Sequence, residues 1–102
     1  MYILEYMPMA MHDMVEIAKY IGQELFDPSA AENLTNKMIQ AAEKLTAFPY
    51  AHPAHRAAIP LKNEYRKLMI KNYIMFYWVN EKEKKVVIAR IIYSRRDYEN
   101  LL

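Results

Sequence analysis

The 102-residue chain contains no cysteine and a single glycine, and these two shortages exclude several classes of protein. Without cysteine there is neither a disulfide scaffold nor a thiolate metal site. One glycine is too few for a glycine-rich phosphate-binding loop. No apolar run approaches the roughly 20 residues of a membrane span, and residues 1–8 lack the basic flank and long apolar core of a signal peptide. We therefore expect a cytoplasmic protein.

Hydrophobic residues are abundant, at 54% of the chain, which is ample for a buried core. At this length we expect residues 1–102 to form one domain. Residues 1–50 carry seven acids and three bases, whereas residues 51–102 carry five acids and eleven bases, so the net charge of +2 divides into −4 and +6. The basic half favours contact with a polyanion or an acidic partner. A mixed soluble surface is the alternative explanation of the same counts.

The first half of the chain has the apolar period of helices. Apolar residues recur every three or four positions over 9–25 and again up to about residue 47, which predicts two helices joined by a short link. The second helix begins either with an Asp27 cap or with a capping box formed by Ser29 and Glu32. A short link of this kind favours an antiparallel helical hairpin.

The second half has the apolar period of strands. Residues 65–70, 73–79 and 85–93 predict three strands joined as an antiparallel meander. With a first strand over 2–6, the expected fold is α+β, with the helical hairpin packed on one face of an antiparallel sheet of about four strands. The strands are apolar on both faces, so the second face needs a cover. The candidates are the C-terminal YENLL segment, a partner chain and the loop over 48–60.

Catalytic and metal-binding patterns are weak in this sequence. His52 and His55 stand three residues apart, but no cysteine or paired acid lies near them. Spacing identifies no Ser-His-Asp arrangement, and we expect neither a metal ion nor a cofactor. Arg90 is embedded in the apolar last strand, where a charge needs either an internal acid or a functional reason. Arg95 and Arg96 follow that strand, and arginine binds phosphates in bidentate fashion.

Several short motifs follow one another in a distinctive order. They are Tyr65-Arg66, Asn72-Tyr73, Phe76-Tyr77, Arg90-Ile91-Ile92-Tyr93 and Arg96-Asp97. In this order and spacing, the chain resembles the RelE/ParE superfamily of bacterial toxins from type II toxin–antitoxin modules, and the resemblance covers nearly its whole length. It implies a compact α+β domain and a cognate antitoxin that wraps and blocks the toxin. A homodimer is left open.

The resemblance implies growth inhibition by one of two routes. We predict ribosome-associated mRNA cleavage, as in the RelE-like branch, which acts as an endoribonuclease without a metal ion. The alternative is the ParE-like branch, which poisons DNA gyrase and has no known catalytic set. A third alternative is a degraded toxin that retains antitoxin binding alone. Plasmid stabilization is the process usually associated with such modules.

The resemblance also assigns roles to individual residues. For RNA cleavage, Arg66 and Arg95 would hold the phosphate, and Tyr93 or Tyr98 would stack on a base or transfer a proton. Ile74 occupies the position of a second arginine of the nuclease branch. For a gyrase poison, the same basic end of the chain is an interaction surface. Binding of nucleic acid or of the target protein is expected from four further residues, Lys62, Lys67, Arg90 and Arg96.

Overall fold

The computed structural model describes residues 1–57 and 61–102, so residues 58–60 of the predicted loop lie outside the described part. Its elements, in chain order, are β1 (Ile3–Tyr6), α1 (Pro8–Lys19), a π-helical turn (Tyr20–Glu24), α2 (Pro28–Lys44), β2 (Arg66–Ile70), β3 (Tyr73–Asn80), β4 (Lys85–Tyr93) and a 3₁₀ turn (Glu99–Leu101). None of the helices in the described ranges is long and apolar enough to cross a membrane.

The two predicted helices are present, and their buried stripes form one side of the core. α1 buries Ala10 and Met14, and the buried residues of α2 are Ala31, Leu34, Met38 and Ala42. Of the two predicted starts for α2, the structure has the Asp27 cap, since its carboxylate accepts the backbone N–H of Ala30 at 3.1 Å. The predicted helix over 9–25 differs in its last turn, which widens to π-helical geometry.

The sheet has the strand order β1–β4–β3–β2. β2, β3 and β4 form the antiparallel meander that the sequence predicts, with Arg66 opposite Tyr77 and Tyr73 opposite Tyr93. β1 pairs with β4 in the parallel direction, with Ile3 opposite Lys85. The expected fold of a helical hairpin on a four-stranded sheet is therefore confirmed, and the parallel direction of β1 makes the sheet mixed.

A β-bulge changes the course of β4 at Ala89. Phe76 lies opposite Arg90 and Tyr77 lies opposite Ile88, so Ala89 is the extra residue. β1 ends beside this point, and its neighbour Met7 donates its backbone N–H to the Ile88 carbonyl at 2.9 Å. The last part of β4 therefore extends past the end of its parallel partner.

Apolar side chains cover both faces of the sheet. One core lies between the sheet and the helices and includes Met38, Met75, Tyr77 and Ile88. A smaller cluster on the second face includes Ile74, Phe76 and Ile92, and the C-terminal residues Tyr98, Leu101 and Leu102 pack against it together with Leu61. The C-terminal segment is thus one of the predicted covers that the structure shows in place.

Candidate functional site

Arg66 lies at the start of β2 and is held by several neighbours. It shares the helix side of the sheet with its cross-strand partner Tyr77. The guanidinium donates to the His52 carbonyl at 2.8 Å and to the Glu64 carboxylate at 3.1 Å. The ring of Tyr50 lies against the guanidinium, 4.8 Å from ring centre to Cζ. The side chain of Arg66 is consequently only 18% exposed.

A cavity of about 390 Å³ opens beside this guanidinium, and we call it the Arg66 cavity. Its lining residues are Tyr50, Lys62, Asn63, Glu64, Arg66, Trp78, Val79, Asn80 and Glu81. Two of the predicted residues, Arg66 and Lys62, are therefore brought together here. Sequence reasoning missed Tyr50 and Glu81, because one lies in an irregular loop and the other in a charged turn that reads as solvated surface.

Glu81 is the centre of a hydrogen-bonded network at the edge of the Arg66 cavity. Its carboxylate accepts hydrogen bonds from the hydroxyls of Tyr2 and Tyr50 and from Lys84 Nζ at 2.6 Å. Hydrogen bonds from Lys84 first, and then from Tyr2 and Tyr50, lower the pKa of Glu81 to about 2. The hydrogen bond between the Tyr50 hydroxyl and Glu81 raises the pKa of Tyr50 to about 12. The network joins the N-terminal segment, the loop after α2 and the β3–β4 turn.

Tyr93 and Arg96 lie in a different place, which we call the hairpin groove. This groove of about 1170 Å³ separates the helical hairpin from the β2–β3 turn and the end of β4. The ring of Tyr93 meets that of Tyr73 edge to face at 5.8 Å. Apolar residues of the groove are Ile17, Tyr20, Ile21, Leu25, Ala30, Leu34, Tyr73 and Tyr93; its cationic residues are Lys37, Lys71 and Arg96, and Glu16 adds an acid. The groove is thus largely apolar, with more cationic than acidic side chains along its lining.

The register of the sheet separates Arg66 from Tyr93. On β3, the residue opposite Arg66 is Tyr77, and the residue opposite Tyr93 is Tyr73. Four residues of strand correspond to roughly 13 Å, and the two strands that flank β3 are roughly 10 Å apart. Arg95 follows Tyr93 at the same end of β4 and is exposed. The structure therefore does not bring Arg66 together with Tyr93 and Arg95.

Tyr98 lies on the other face of the sheet. Its ring packs against Phe76 at 5.2 Å and against His55 at 5.6 Å, within the second-face cluster. Lys67 follows Arg66 on β2, so its side chain points to this second face as well. The residues predicted to form one site are thus divided between the Arg66 cavity, the hairpin groove with the end of β4, and the second face.

The side chain of Arg90 is paired with groups of the protein itself. Its guanidinium donates to both carboxylate oxygens of Asp13, at 2.7 and 3.0 Å, and to the Leu101 carbonyl at 3.0 Å. Asp13 also accepts the backbone N–H of Ile91 at 3.0 Å. The side chains of Arg90 and Asp13 are 14% and 11% exposed, and their hydrogen bond raises the pKa of Arg90. This geometry supports the internal ion pair, the alternative expected from an arginine in an apolar strand.

Histidine and carboxylate side chains do not gather into a metal site in the part of the chain that the structure describes, where no three of them are suitably grouped. His52 instead meets the ring of Tyr77 edge to face, at 6.5 Å between centroids. Asp97 accepts a hydrogen bond from the Asn100 side chain at 2.6 Å. In the described residues, these side chains thus contact neighbouring protein groups.

Comparison with known proteins identifies the family to which this arrangement belongs. A family model described as "ParE toxin of type II toxin-antitoxin system, parDE" matches residues 4–98. The chain belongs to this ParE toxin family. This confirms membership of the RelE/ParE superfamily, which the order of its motifs predicts. No curated protein matches the chain significantly in sequence.

Solved structures of toxin–antitoxin systems share the fold. The chromosomal ParDE system of P. aeruginosa is similar with a TM-score of 0.73 and 18% identity, over 91% of this chain and 96% of that one. The archaeal RelE–RelB complex of Pyrococcus horikoshii has a TM-score of 0.62 and 13% identity, over 93% and 97%. The E. coli RelBE complex has a TM-score of 0.55 and 17% identity, over 94% and 100%. At these identities the likeness concerns the fold.

Proposed function

We propose that the protein is a growth-inhibiting toxin of a type II module that acts in the cytoplasm by poisoning DNA gyrase. The observation that carries this proposal is the separation of the side chains that RNA cleavage would require. Cleavage at a 2′-hydroxyl needs a base, an acid and positive charge around one phosphate. Arg66, Tyr93 and Tyr98 occupy three separate places, so they do not surround a common phosphate.

The surroundings of Ile74 support the same proposal. The nuclease branch carries an arginine at the corresponding position, and here Ile74 is 4% exposed within the second-face cluster. An apolar side chain in that position supplies no charge to a developing phosphorane. Membership of the ParE family agrees with a toxin that binds its target without cutting RNA.

The basic end of the sheet is the surface that we expect to contact the target. Arg95 and Arg96 are exposed and follow β4 directly. The backbone N–H of Ser94 donates to the Asn72 carbonyl at 2.8 Å, which places these arginines beside the β2–β3 turn and its exposed Lys71. Clustered cations favour a complex that contains DNA, because its phosphates attract them.

We further propose a cognate antitoxin as the physiological partner. Relatives that share the fold have been solved as toxin–antitoxin complexes. The hairpin groove fits an acidic, partly apolar segment, since three cations, Lys37, Lys71 and Arg96, outnumber the acid Glu16 among its apolar side chains. A short neighbouring reading frame with an acidic, helix-forming tail would agree with this partner.

Ribosome-dependent mRNA cleavage is the second candidate function. It is supported by the Arg66 cavity, where an ordered guanidinium, a lysine and a tyrosine lie together. In this case Arg66 would hold the phosphate with Lys62, and Tyr50 would be the aromatic group beside them.

Two assays with the purified protein separate the candidates. Added to DNA gyrase and supercoiled DNA, it is expected to trap double-strand breaks, and added to translating ribosomes, to leave mRNA intact. Arg95→Ala is expected to reduce the breaks at least about tenfold, the loss of roughly 1.4 kcal/mol of binding. Lys82→Ala is the matched control, because Lys82 is an exposed cation on the β3–β4 turn at the other end of the sheet.

The opposite pattern would favour the second candidate. Codon-edge cuts in mRNA without DNA breaks would replace the gyrase proposal with RNA cleavage. Activity in neither assay, with no growth inhibition on expression, would leave antitoxin binding alone. Equal losses in Arg95→Ala and Lys82→Ala would show that the basic end of the sheet has no special role.

A further inference from the structure

We propose that Glu81 is a positioning residue for Arg66, and that it acts through Tyr50. The effect of this positioning on activity rests on the second candidate under the proposed function, RNA cleavage, in which Arg66 holds a phosphate, whereas the positioning itself does not depend on it. Glu81 and Arg66 both line the Arg66 cavity, and the contact with the guanidinium is made by the Tyr50 ring. The chain of contacts therefore runs from the Glu81 carboxylate to the Tyr50 hydroxyl, and from the Tyr50 ring to Arg66.

Glu81 is held in place independently of Arg66. Lys84 Nζ donates to its carboxylate at 2.6 Å, and the Tyr2 hydroxyl donates to it as well. Lys84 Nζ also lies over the Tyr2 ring, 5.3 Å from its centroid. Contacts from the N-terminal segment and from within the β3–β4 turn therefore hold the Glu81 carboxylate in place without any help from Tyr50.

Tyr50 depends on that carboxylate for its orientation. It is 48% exposed and lies in the irregular loop between α2 and β2, so packing alone restrains it weakly. Its hydroxyl bond to Glu81 fixes the far end of the ring, and a fixed ring presents its face to the guanidinium. Without the bond, the ring would be free to turn away into solvent.

The remaining contacts of Arg66 act on the guanidinium edge. One nitrogen donates to the His52 carbonyl, and another donates to Glu64, whose side chain is 70% exposed. An exposed carboxylate such as Glu64 restrains a cation only weakly. The Tyr50 ring, which covers the face of the guanidinium, is therefore an important restraint on its orientation. A planar guanidinium held on one face and one edge presents a constant orientation to a ligand in the cavity.

Nuclear magnetic resonance of the intact protein tests the positioning directly. The variants are Tyr50→Phe, which keeps the ring and the charge of Glu81, and Glu81→Ala. Glu83→Ala is the matched control. It removes a carboxylate from the same turn, but that carboxylate contacts Asn80 and Lys85 and not Tyr50. In both test variants the heteronuclear NOE of Arg66 Nε–Hε is expected to fall toward that of exposed Arg95.

The titration of Tyr50 gives a second, independent readout. In Glu81→Ala its pKa is expected to fall from about 12 toward the ordinary value of 10, as followed by ¹³Cζ shifts assigned with Tyr50→Phe. The control is expected to leave both the Arg66 NOE and this pKa unchanged. An Arg66 NOE that persists in Tyr50→Phe, or that falls equally in Glu83→Ala, would overturn the proposal.

Growth inhibition then separates this proposal from the proposed function. If the toxin cleaves RNA through the Arg66 cavity, Tyr50→Phe at matched expression is expected to weaken inhibition at least about tenfold, to the same degree as Arg66→Ala, with the melting temperature preserved. Full inhibition by Tyr50→Phe when Arg66→Ala is inactive would refute the positioning role. Full inhibition by Arg66→Ala itself would instead count against RNA cleavage at the Arg66 cavity and agree with gyrase poisoning, and the NOE would still decide the positioning.

Discussion

Arg90 illustrates how much one residue of the sequence reveals about its surroundings. An arginine between apolar strand residues needs compensation for its charge, and that requirement is evident from the sequence alone. The identity of the partner is not, because Asp13 lies 77 positions earlier and nothing in the first helix distinguishes it from the other acids. Only the fold brings the two together, across the edge of β4.

The ion pair has a second effect through Ile91. Because β4 continues beyond the end of β1, the Ile91 N–H on its outer edge receives the Asp13 carboxylate as its acceptor. Asp13 thereby acts as a substitute for the next residue of a neighbouring strand. Removing it would leave both a poorly solvated guanidinium and a poorly solvated N–H group.

We predict that Asp13→Ala lowers the free energy of unfolding by about 2–3 kcal/mol, somewhat below a fully buried pair because both side chains retain slight exposure. The double variant Asp13→Ala with Arg90→Met is expected to be more stable than Asp13→Ala, because the unpaired charge is gone. Urea denaturation measures both differences.

Glu16→Ala is the matched control for this pair. Glu16 is an acid on the same helix whose partner, Lys19, is 3.9 Å away at an exposed position. Its substitution is expected to change stability by less than about 0.5 kcal/mol. If Asp13→Ala were as mild as this control, the ion pair would have no role in stability.

At the scale of elements, the apolar periods predict both helices and all four strands, while the ends of elements depend on geometry that the periods do not record. α1 passes into a π-helical turn, in which the Leu25 N–H donates to the Tyr20 carbonyl at 3.1 Å. Phe26 then takes a left-handed backbone conformation with φ of 52°, where a glycine would be usual. A sequence pattern with an aromatic residue there predicts no such turn.

The cap of α2 distinguishes two interpretations that the sequence left open. Asp27→Ala is expected to lower the free energy of unfolding by about 1 kcal/mol, since the Ala30 N–H loses its acceptor. Ser29→Ala removes the other candidate cap and is expected to change it by less than about 0.5 kcal/mol. Thermal and urea unfolding measure both variants, and the reverse order would indicate a Ser29 capping box.

At the scale of the whole molecule, the sequence predicts what the second face of the sheet needs and leaves open what supplies it. Apolar residues of both parities in β3 and β4 require a cover, and the described structure has Tyr98, Leu101 and Leu102 in that position. The scattered placement of the predicted site residues has a related cause. Strand period gives the face on which a residue lies, but not its distance from residues on other strands.

We predict that deletion of residues 98–102 lowers the free energy of unfolding by at least about 2 kcal/mol, because it uncovers Ile74, Phe76 and Ile92. It also removes the Leu101 carbonyl from Arg90. Urea denaturation and binding of an apolar dye measure the effect. Asn100→Ala removes an exposed side chain bonded to Asp97, and its free energy of unfolding is expected to remain close to that of the original protein.

An equal stability of the shortened chain would show that its C-terminal segment lies on the sheet without contributing to the core. In that case the uncovered face would have to tolerate water or recruit another chain.

The pairing of β1 with β4 has a consequence for how the protein folds while it is being synthesised. β1 leaves the ribosome before the other elements of this fold, yet β4, the strand that receives it, is the last of the four strands to be synthesised. Contacts between such distant parts of a chain form slowly, because a large loop must close before they are gained. Every nascent copy therefore exists for a time as a helical hairpin with an unfinished sheet. The cell meets the completed toxin fold only after β4 has left the ribosome.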